Sequence, residues 1–178
     1  GCPLMGRRRH PIRIAIAGVG NCASALMQGL QYYAAPHRHN GHKSSAGLLH
    51  ARVGSYTPAD ITVVAAFDID TRKVGRPLER AIAAAPNCTA RFVKQLPRYG
   101  VRVQMGPVLD GVAAHMRRYP DSQTFVVSKA RPVDLARALK QSGAEILLNY
   151  LPVGSQRATE AYAEACLEAG VSLINCMP

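Results

Sequence analysis

One stretch near the N-terminus constrains the fold of this chain more than any other. Residues 12–17 read Ile-Arg-Ile-Ala-Ile-Ala, and an apolar run interrupted only by Arg13 is typical of a buried strand. The sequence Gly-Val-Gly-Asn-Cys-Ala follows at residues 18–23, and residues 21–33 then place apolar side chains at helical spacing. The sequence therefore predicts a strand, a tight glycine turn and a helix in succession.

The rest of the chain repeats this alternation of apolar strands and helical patterns. Further strands are predicted at Ile61–Phe67, Val101–Gln104, 145–152 and 171–175, and further helices at Val74–Ala85, Asp110–Tyr119, 132–142 and 155–169. Pro132 suits the first position of a helix, and Ser155 suits an N-cap. Because strands and helices alternate at this spacing, we expect parallel βαβ units and a doubly wound, mostly parallel α/β sheet.

The domain organisation follows from where the pattern begins and where it is interrupted. Residues 1–11 are basic and lack periodicity, which predicts a flexible leader, and residues 12–178 are predicted to form one domain. His, Gly, Ser, Pro and Asn dominate residues 34–59, which predicts a long loop or insertion between the first helix and the second strand.

The glycine turn has the G-x-G-x-x-G/A form of a dinucleotide-binding loop. In that form Gly18 permits the tight turn, Gly20 lets a pyrophosphate approach the backbone, and Ala23 allows close packing of helix on strand. The amide N–H groups at the helix start, including those of Asn21 and Cys22, would face the phosphates. An ordinary strand-to-helix turn can share this spacing, so the loop alone leaves both interpretations open.

The acidic residue that normally accompanies such a loop is Asp68. It lies at the end of the second predicted strand, where a Rossmann-type carboxylate accepts hydrogen bonds from the adenine ribose. The separation from Gly18 is long because the 34–59 insertion intervenes. Arg72 and Lys73 leave NADP open, but a carboxylate would repel a 2′-phosphate, and we therefore favour NAD as the cofactor of an NAD(P)-binding Rossmann-like domain.

Charge and composition favour some partners and argue against others. Residues 1–59 contain seven Lys or Arg and no Asp or Glu, and the net charge of the chain is +11, which suggests an anionic partner. The charges are scattered, and only three Phe and no Trp are available for base stacking, so direct nucleic-acid binding is not favoured. No apolar run is long enough to span a bilayer, and cytoplasm is the expected location.

Metal sites and disulfides are not expected. The five cysteines are widely spaced without a CxxC pair, which argues against a disulfide framework or a cysteine zinc site. His37, His39 and His42 could in principle ligate a metal, but no Cys or carboxylate accompanies them, and a polar loop is the better interpretation.

Several sequence blocks together resemble one family, the bacterial type of inositol-3-phosphate synthase (myo-inositol-1-phosphate synthase). The resemblance is to its N-terminal Rossmann part and covers nearly all of residues 12–178, through blocks in the expected order. These blocks are residues 14–33, 47–75, 86–89, 103–111, 132–155 and 161–178, and they include GVGNCA, VQMGPVLDG and LPVGS.

The resemblance implies an enzyme that converts D-glucose 6-phosphate to 1L-myo-inositol 1-phosphate with tightly bound NAD, for inositol and phospholipid synthesis. It also implies a homo-oligomer and a set of cofactor-binding positions. These positions are Gly18, Gly20, Asn21, Cys22, Ala23, Asp68, Asp110, Ser155, Tyr162 and Asn175, with Tyr162 the weakest of them.

The chain departs from the family in one respect. The family continues through a catalytic and oligomerisation domain whose lysines bind the sugar phosphate, and these 178 residues do not include that part. We therefore expect the chain alone not to turn over substrate, and no catalytic residue is assigned to it. A non-catalytic NAD-binding or regulatory module is the alternative.

Overall fold

The computed structural model describes residues 10–34, 38–39, 42–43, 47–112, 116 and 118–177. Within these residues the strands are β1 Ile12–Ala17, β2 Arg38–His39, β3 His42–Lys43, β4 Ile61–Asp68, β5 Val103–Met105, β6 Ile146–Asn149 and β7 Ser172–Asn175. The helices are α1 Asn21–Ala34, α2 Leu78–Ala81, α3 Leu135–Ser142 and α4 Gln156–Ala169, with a 3₁₀ turn at Pro58–Asp60. The predicted leader falls almost entirely outside the described residues.

Five of the strands form one parallel sheet in the order β5-β4-β1-β6-β7. Numbered by their place within this sheet, they run 3-2-1-4-5, which is the order of a Rossmann-type half-sheet. The short strands β2 and β3 pair antiparallel with each other, within the predicted 34–59 insertion. The doubly wound α/β fold predicted from the sequence is confirmed.

Both faces of the sheet are covered, as the apolar strands predict. Successive side chains of β1 point to opposite faces, so Ile14 and Ile16 pack with α1 and α2 while Ala15 and Ala17 pack with α3 and α4. Phe67 of β4 is fully buried on the second face. Among the described residues, no helix is long and apolar enough to cross a bilayer.

The helix predicted at Val74–Ala85 is wrong over most of its length. Only Leu78–Ala81 is α-helical. Gly75 has φ +80°, its N–H donates to the Val103 carbonyl, and the Val103 N–H donates to Arg76 O. These long-range backbone hydrogen bonds hold residues 75 and 76 beside β5. In a local helix the same N–H and carbonyl groups would have bonded within the helix instead.

Two other predicted boundaries moved. The helix expected to begin at Pro132 begins at Leu135, because the Val133 N–H donates to Met105 O and Asp134 is the N-cap, accepting from the Arg137 N–H at 3.0 Å. The strand predicted at Val101–Gln104 lies at Val103–Met105.

The predicted helix Asp110–Tyr119 is not observed at its start, whereas the predicted ends of α3 and α4 are observed. Residues 110 and 111 of the predicted helix Asp110–Tyr119 form bends, and residues 113–115 and 117 lie outside the described part. Gly143 and Gly170 end α3 and α4 with φ of 67° and 70°, as predicted.

Candidate cofactor site

The strand order reverses between β1 and β6, so the loops that follow these two strands diverge at the carboxyl edge of the sheet. In open α/β sheets such a reversal leaves a crevice in which ligands bind. The loop after β1 carries Gly18 and Gly20, and the loop after β6 carries Tyr150 and Ser155. The two loops are therefore neighbours in the fold.

The glycines of the first loop have different structural roles. Gly18 has φ +90°, and a Cβ there would lie 2.7 Å from the Tyr150 carbonyl oxygen, so only glycine fits. A Cβ at Gly20 would meet nothing within 4 Å, which leaves its backbone open to a ligand. Ala23 is fully buried against the sheet. This division matches the roles of the three small residues in a dinucleotide-binding loop.

The Asp68 carboxylate holds the glycine loop in place. Its Oδ2 accepts the Val19 N–H at 2.7 Å, while its Oδ1 accepts the N–H groups of Ile69 and Asp70 at 2.7 and 2.8 Å. The buried Lys73 ammonium lies 4.0 Å from Oδ2 and donates to the Val19 carbonyl at 2.6 Å. Asp68 and Lys73 therefore bind both backbone polar groups of Val19, its N–H and its carbonyl.

Arg72 is committed to a different cluster. Its guanidinium donates to both carboxylate oxygens of the buried Asp70, at 2.9 and 2.6 Å, and to the carbonyls of Asp121 and Thr124. Burial of the Asp70 carboxyl opposes its ionisation, but hydrogen bonds from Arg72 and from the Val126 N–H outweigh this effect and lower the pKa of Asp70. The cluster ties residues 70–72 to the 121–126 loop.

Because the folded-state pKa of Asp70 is depressed, its contribution to stability should be lost in acid. That contribution is complete above the unfolded-state pKa of about 3.9 and disappears as the pH falls through the lower folded-state value. We expect the Asp70→Asn variant to be less stable than the wild type by about 1–2 kcal/mol at pH 6, and the difference to shrink as the pH falls from about 3.9 through the lower folded-state pKa. Urea unfolding between these pH values measures it, and a difference independent of pH would contradict the assignment.

The two helix N-termini at the crevice differ in charge. The first turn of α1 contains no acidic residue, and its leading N–H groups have no partner within the helix. At α4, by contrast, the Asp110 carboxylate accepts the N–H groups of Arg157 and Ala158 at 2.7 and 3.0 Å. Partial desolvation opposes the effect, but these two donors lower the pKa of Asp110. The α1 N-terminus is therefore the one free to bind an anion.

Ser155, directly before α4, and Tyr162, within it, have structural roles that the sequence does not predict. Ser155 is at the N-cap position, but its side chain makes no capping bond, because Asp110 takes that role. Tyr162 is 2% exposed and packs on Phe67 with ring centroids 5.8 Å apart. Burial, followed by the charge of Asp68, raises the pKa of Tyr162. Its side chain belongs to the core, and contact of either residue with a cofactor stays a prediction.

Asn21 and Cys22 begin α1 beside the glycine loop. The Asn21 Oδ1 accepts the Cys88 N–H at 2.9 Å, and the Asn21 carbonyl accepts from the Thr89 hydroxyl at 3.0 Å. Asn21 therefore anchors the segment after Pro86, and the Cys22 side chain is exposed at the mouth of the crevice. Their predicted roles toward a cofactor are not tested by these contacts.

A polar network at the ends of β6 and β7 was not predicted from the sequence. Asn149 is fully buried, and its Nδ2 donates to Thr159 Oγ1 at 3.0 Å and to Asn175 Oδ1 at 2.9 Å. Its Oδ1 accepts the Leu151 N–H at 3.2 Å. The network fixes the predicted site residue Asn175 beside the crevice. The signal for Asn149 is a single amide in an otherwise apolar predicted strand, since buried amides require hydrogen-bond partners.

In the described part of the chain, no group of three His, Cys, Asp or Glu is placed to hold a metal ion. His37 lies outside the described residues, and His39 and His42 lie in β2 and β3.

The chain is similar in sequence to curated inositol-3-phosphate synthases. The chain is 43% identical over 167 residues to the inositol-3-phosphate synthase of Corynebacterium glutamicum, which covers 94% of this chain and 44% of that protein. It is 42% identical over 174 residues to the synthase of Mycolicibacterium smegmatis, covering 98% of this chain and 46% of that protein. The chain thus spans less than half the length of these curated relatives. No family model matches it.

Two solved structures share the fold. The structure of Ari2 superposes with a TM-score of 0.73 at 36% identity, covering 94% of this chain and 46% of that one. A myo-inositol-1-phosphate synthase-related protein from Thermotoga maritima superposes with a TM-score of 0.67 at 20% identity, covering 95% of this chain and 48% of that one. At that identity the second likeness supports the fold only. Together with the curated relatives, the likeness is to the N-terminal half of inositol-3-phosphate synthases.

Proposed function

We propose that this chain is the NAD-binding part of an inositol-3-phosphate synthase. The observation that carries the proposal is the uncapped N-terminus of α1, which adjoins the open space at Gly20 and the Asp68 carboxylate at the end of β4. An anion-binding helix end, a glycine with room above it and a strand-end carboxylate are the three elements by which Rossmann-type sites hold a dinucleotide.

The Asp68 carboxylate has the capacity to bind a ribose hydroxyl. A carboxylate offers about four lone-pair positions, and backbone N–H groups occupy two on Oδ1 and one on Oδ2. The remaining position is on Oδ2, beside the glycine loop. We propose that this position accepts a hydrogen bond from the adenine ribose. The first-turn N–H groups of Asn21 and Cys22 would bind the pyrophosphate. The amide N–H of Ala23 belongs to the same turn.

The charges around Asp68 favour NAD over NADP. Arg72 is held by Asp70 and by two carbonyls, and the Lys73 ammonium is buried under the glycine loop. Both cations are thus engaged by protein groups, and the negative Asp68 would repel a 2′-phosphate. NAD is thus the cofactor that these side chains suit.

In the complete enzyme the substrate is D-glucose 6-phosphate and the product 1L-myo-inositol 1-phosphate, a precursor of inositol lipids. NAD supplies a hydride acceptor and, once reduced, a hydride donor, so that the reaction has no net redox change. This chain binds and orients the cofactor, while Asp110 and Asn175 shape the far side of the crevice. We assign the residues that contact the sugar to the half that this chain does not match. We also propose a homo-oligomeric cytoplasmic enzyme.

Titration calorimetry with NAD and with NADP tests the cofactor assignment. We expect saturable binding of NAD and at least tenfold weaker binding of NADP, since a 2′-phosphate would face the Asp68 carboxylate. Equal affinity for both, or binding of neither, would contradict the proposal. Inositol phosphate formation from glucose 6-phosphate is then assayed with the chain alone and with the complementary half of the Corynebacterium enzyme. NAD binding without activity in either case would favour a non-catalytic, regulatory module.

A further inference from the structure

A second cavity lies beside α1, where the buried Ser24 and Gln28 line it. It has a volume of about 280 Å³ and is bounded by α1, by residues 79–83 in and after α2, and by residues 91–98. Pockets that enclose drug-sized ligands typically measure about 300–1,000 Å³, so this one suits a smaller molecule.

The cavity is strongly basic. Arg80, Arg91, Lys94 and Arg98 line it, and Glu79 is the single carboxylate among the lining residues. Throughout the described residues, these four cations make no side-chain hydrogen bond or ion pair. Cations that no protein carboxylate neutralises, converging on one concavity, create a positive potential that attracts anions.

The wall that carries three of these cations is fixed in place. The buried Gln28 of α1 accepts the N–H groups of Phe92 and Val93 at 3.0 and 3.3 Å and donates to the Ala90 carbonyl at 3.2 Å. Further along the segment, Leu96 and Tyr99 pack against the core. The basic side chains therefore project from an ordered backbone, which lowers the entropic cost of binding a ligand between them.

Glu79 adds an acceptor to this basic cavity. Its Oε2 is buried and has no hydrogen-bond partner among the described residues. Burial, followed by the charge of Glu79, raises the pKa of Tyr99 to about 12, so the phenol is neutral at pH 7. A buried acceptor without a partner is costly, and rotation of the Glu79 side chain into the cavity would let a ligand hydroxyl relieve that cost.

The cavity and the cofactor crevice are distinct sites. Asn21 holds Cys88 and Thr89 at the first turn of α1, whereas Gln28 holds residues 90–93 seven residues further along. Seven helical residues correspond to about 10 Å along the axis. None of the ten predicted cofactor-binding residues lines the cavity.

We propose that this cavity binds a small phosphate ester that carries hydroxyl groups. Three guanidinium groups and one ammonium match the charge and the planar hydrogen-bonding geometry of a phosphate. Glu79 Oε2 accepts from a hydroxyl on the organic part, and so distinguishes such an ester from inorganic phosphate. The proposal does not rest on the proposed function, because it involves neither NAD nor catalysis.

The test is calorimetry of the chain with glycerol 2-phosphate, inorganic phosphate and glycerol as probes. We expect the ester to bind more tightly than inorganic phosphate, and glycerol not to bind. The double variant Arg91→Gln/Lys94→Gln should raise the dissociation constant of the ester about tenfold. The Glu79→Met variant should bring the affinities of ester and inorganic phosphate together, because it removes the acceptor.

The control is the double variant Lys129→Gln/Arg131→Gln, which loses the same charge from exposed positions outside the cavity. An equal loss of ester affinity in this control would overturn the proposal, as would competition between the ester and NAD. Absence of binding by all three probes, or stronger binding of an oligonucleotide in place of the ester, would also overturn it. NAD affinity, measured on the same variants, reports separately on the cofactor proposal and should not change.

Discussion

Replacing Asp68 by alanine is expected to weaken NAD binding about 100-fold and to lower the free energy of unfolding by about 2–4 kcal/mol. The substitution leaves three backbone N–H groups, those of Val19, Ile69 and Asp70, without their acceptor. It also leaves the buried Lys73 ammonium without its carboxylate neighbour. The stability loss thus comes from the loop anchor, and the affinity loss from the anchor together with the ribose contact.

Two further variants separate these contributions. Asp68→Asn keeps an acceptor oxygen of the same shape but removes the charge, so its stability and its affinity should both fall between those of wild type and Asp68→Ala. Glu168→Ala removes an exposed carboxylate 3.8 Å from Lys140 and should change stability by less than about 1 kcal/mol. Urea unfolding and NAD titration are the measurements. Unchanged NAD affinity in Asp68→Ala would refute the ribose assignment.

Replacing Gly18 by alanine should destabilise the fold by about 3–5 kcal/mol, because two separate penalties add. A φ of +90° is a conformation that L residues rarely adopt, and the new methyl group would lie 2.7 Å from the Tyr150 carbonyl oxygen. The nearest atoms belong to the backbone of Tyr150 and Leu151, directly after β6, and the Tyr150 N–H donates to the Ala17 carbonyl, so they cannot move without disturbing the β1–β6 pairing. We expect a lower midpoint in urea unfolding with little change in slope.

Gly20→Ala is the matched control, since it introduces the same methyl group two residues away. Its Cβ would meet no protein atom within 4 Å, so the free energy of unfolding should change by less than about 1 kcal/mol. Because that methyl group would project into the space assigned to the pyrophosphate, NAD affinity should nevertheless fall. If the two variants had the same stability, the structural division between the glycines would be wrong.

The strand–loop–helix unit and the place of Asp68 could be predicted because they depend on local pattern. An apolar run, two glycines and a helical period define residues 12–33 without reference to the rest of the chain. Asp68 follows from its position at the end of a second apolar run, however long the intervening insertion. The anchor that Asp68 forms with Val19 spans 49 residues, and no local pattern encodes it.

Predictions from the sequence were least accurate where contacts with distant segments override the secondary structure that the local sequence favours. Residues 75 and 76 have the flanking pattern of a helix but bond to Val103 instead. Asp110 was predicted as a cofactor-binding position, but its bonds to the N–H groups of a helix 47 and 48 residues further along could not be predicted. Gln28 looked like an ordinary helix residue, and its role depends on the 90–93 segment folding against it. Such contacts are tertiary, and each competes successfully with what a short window of sequence favours.

The capped N-terminus of α4 gives the crevice a polarity. Of the two helices that point into it, α1 presents unpaired N–H groups, while α4 has its leading dipoles already neutralised by Asp110. A dinucleotide has one highly charged segment and one end that must be free to react. If NAD binds as proposed, we therefore expect a single orientation along the sheet edge, with the phosphates at β1 and the reactive end toward β6 and β7.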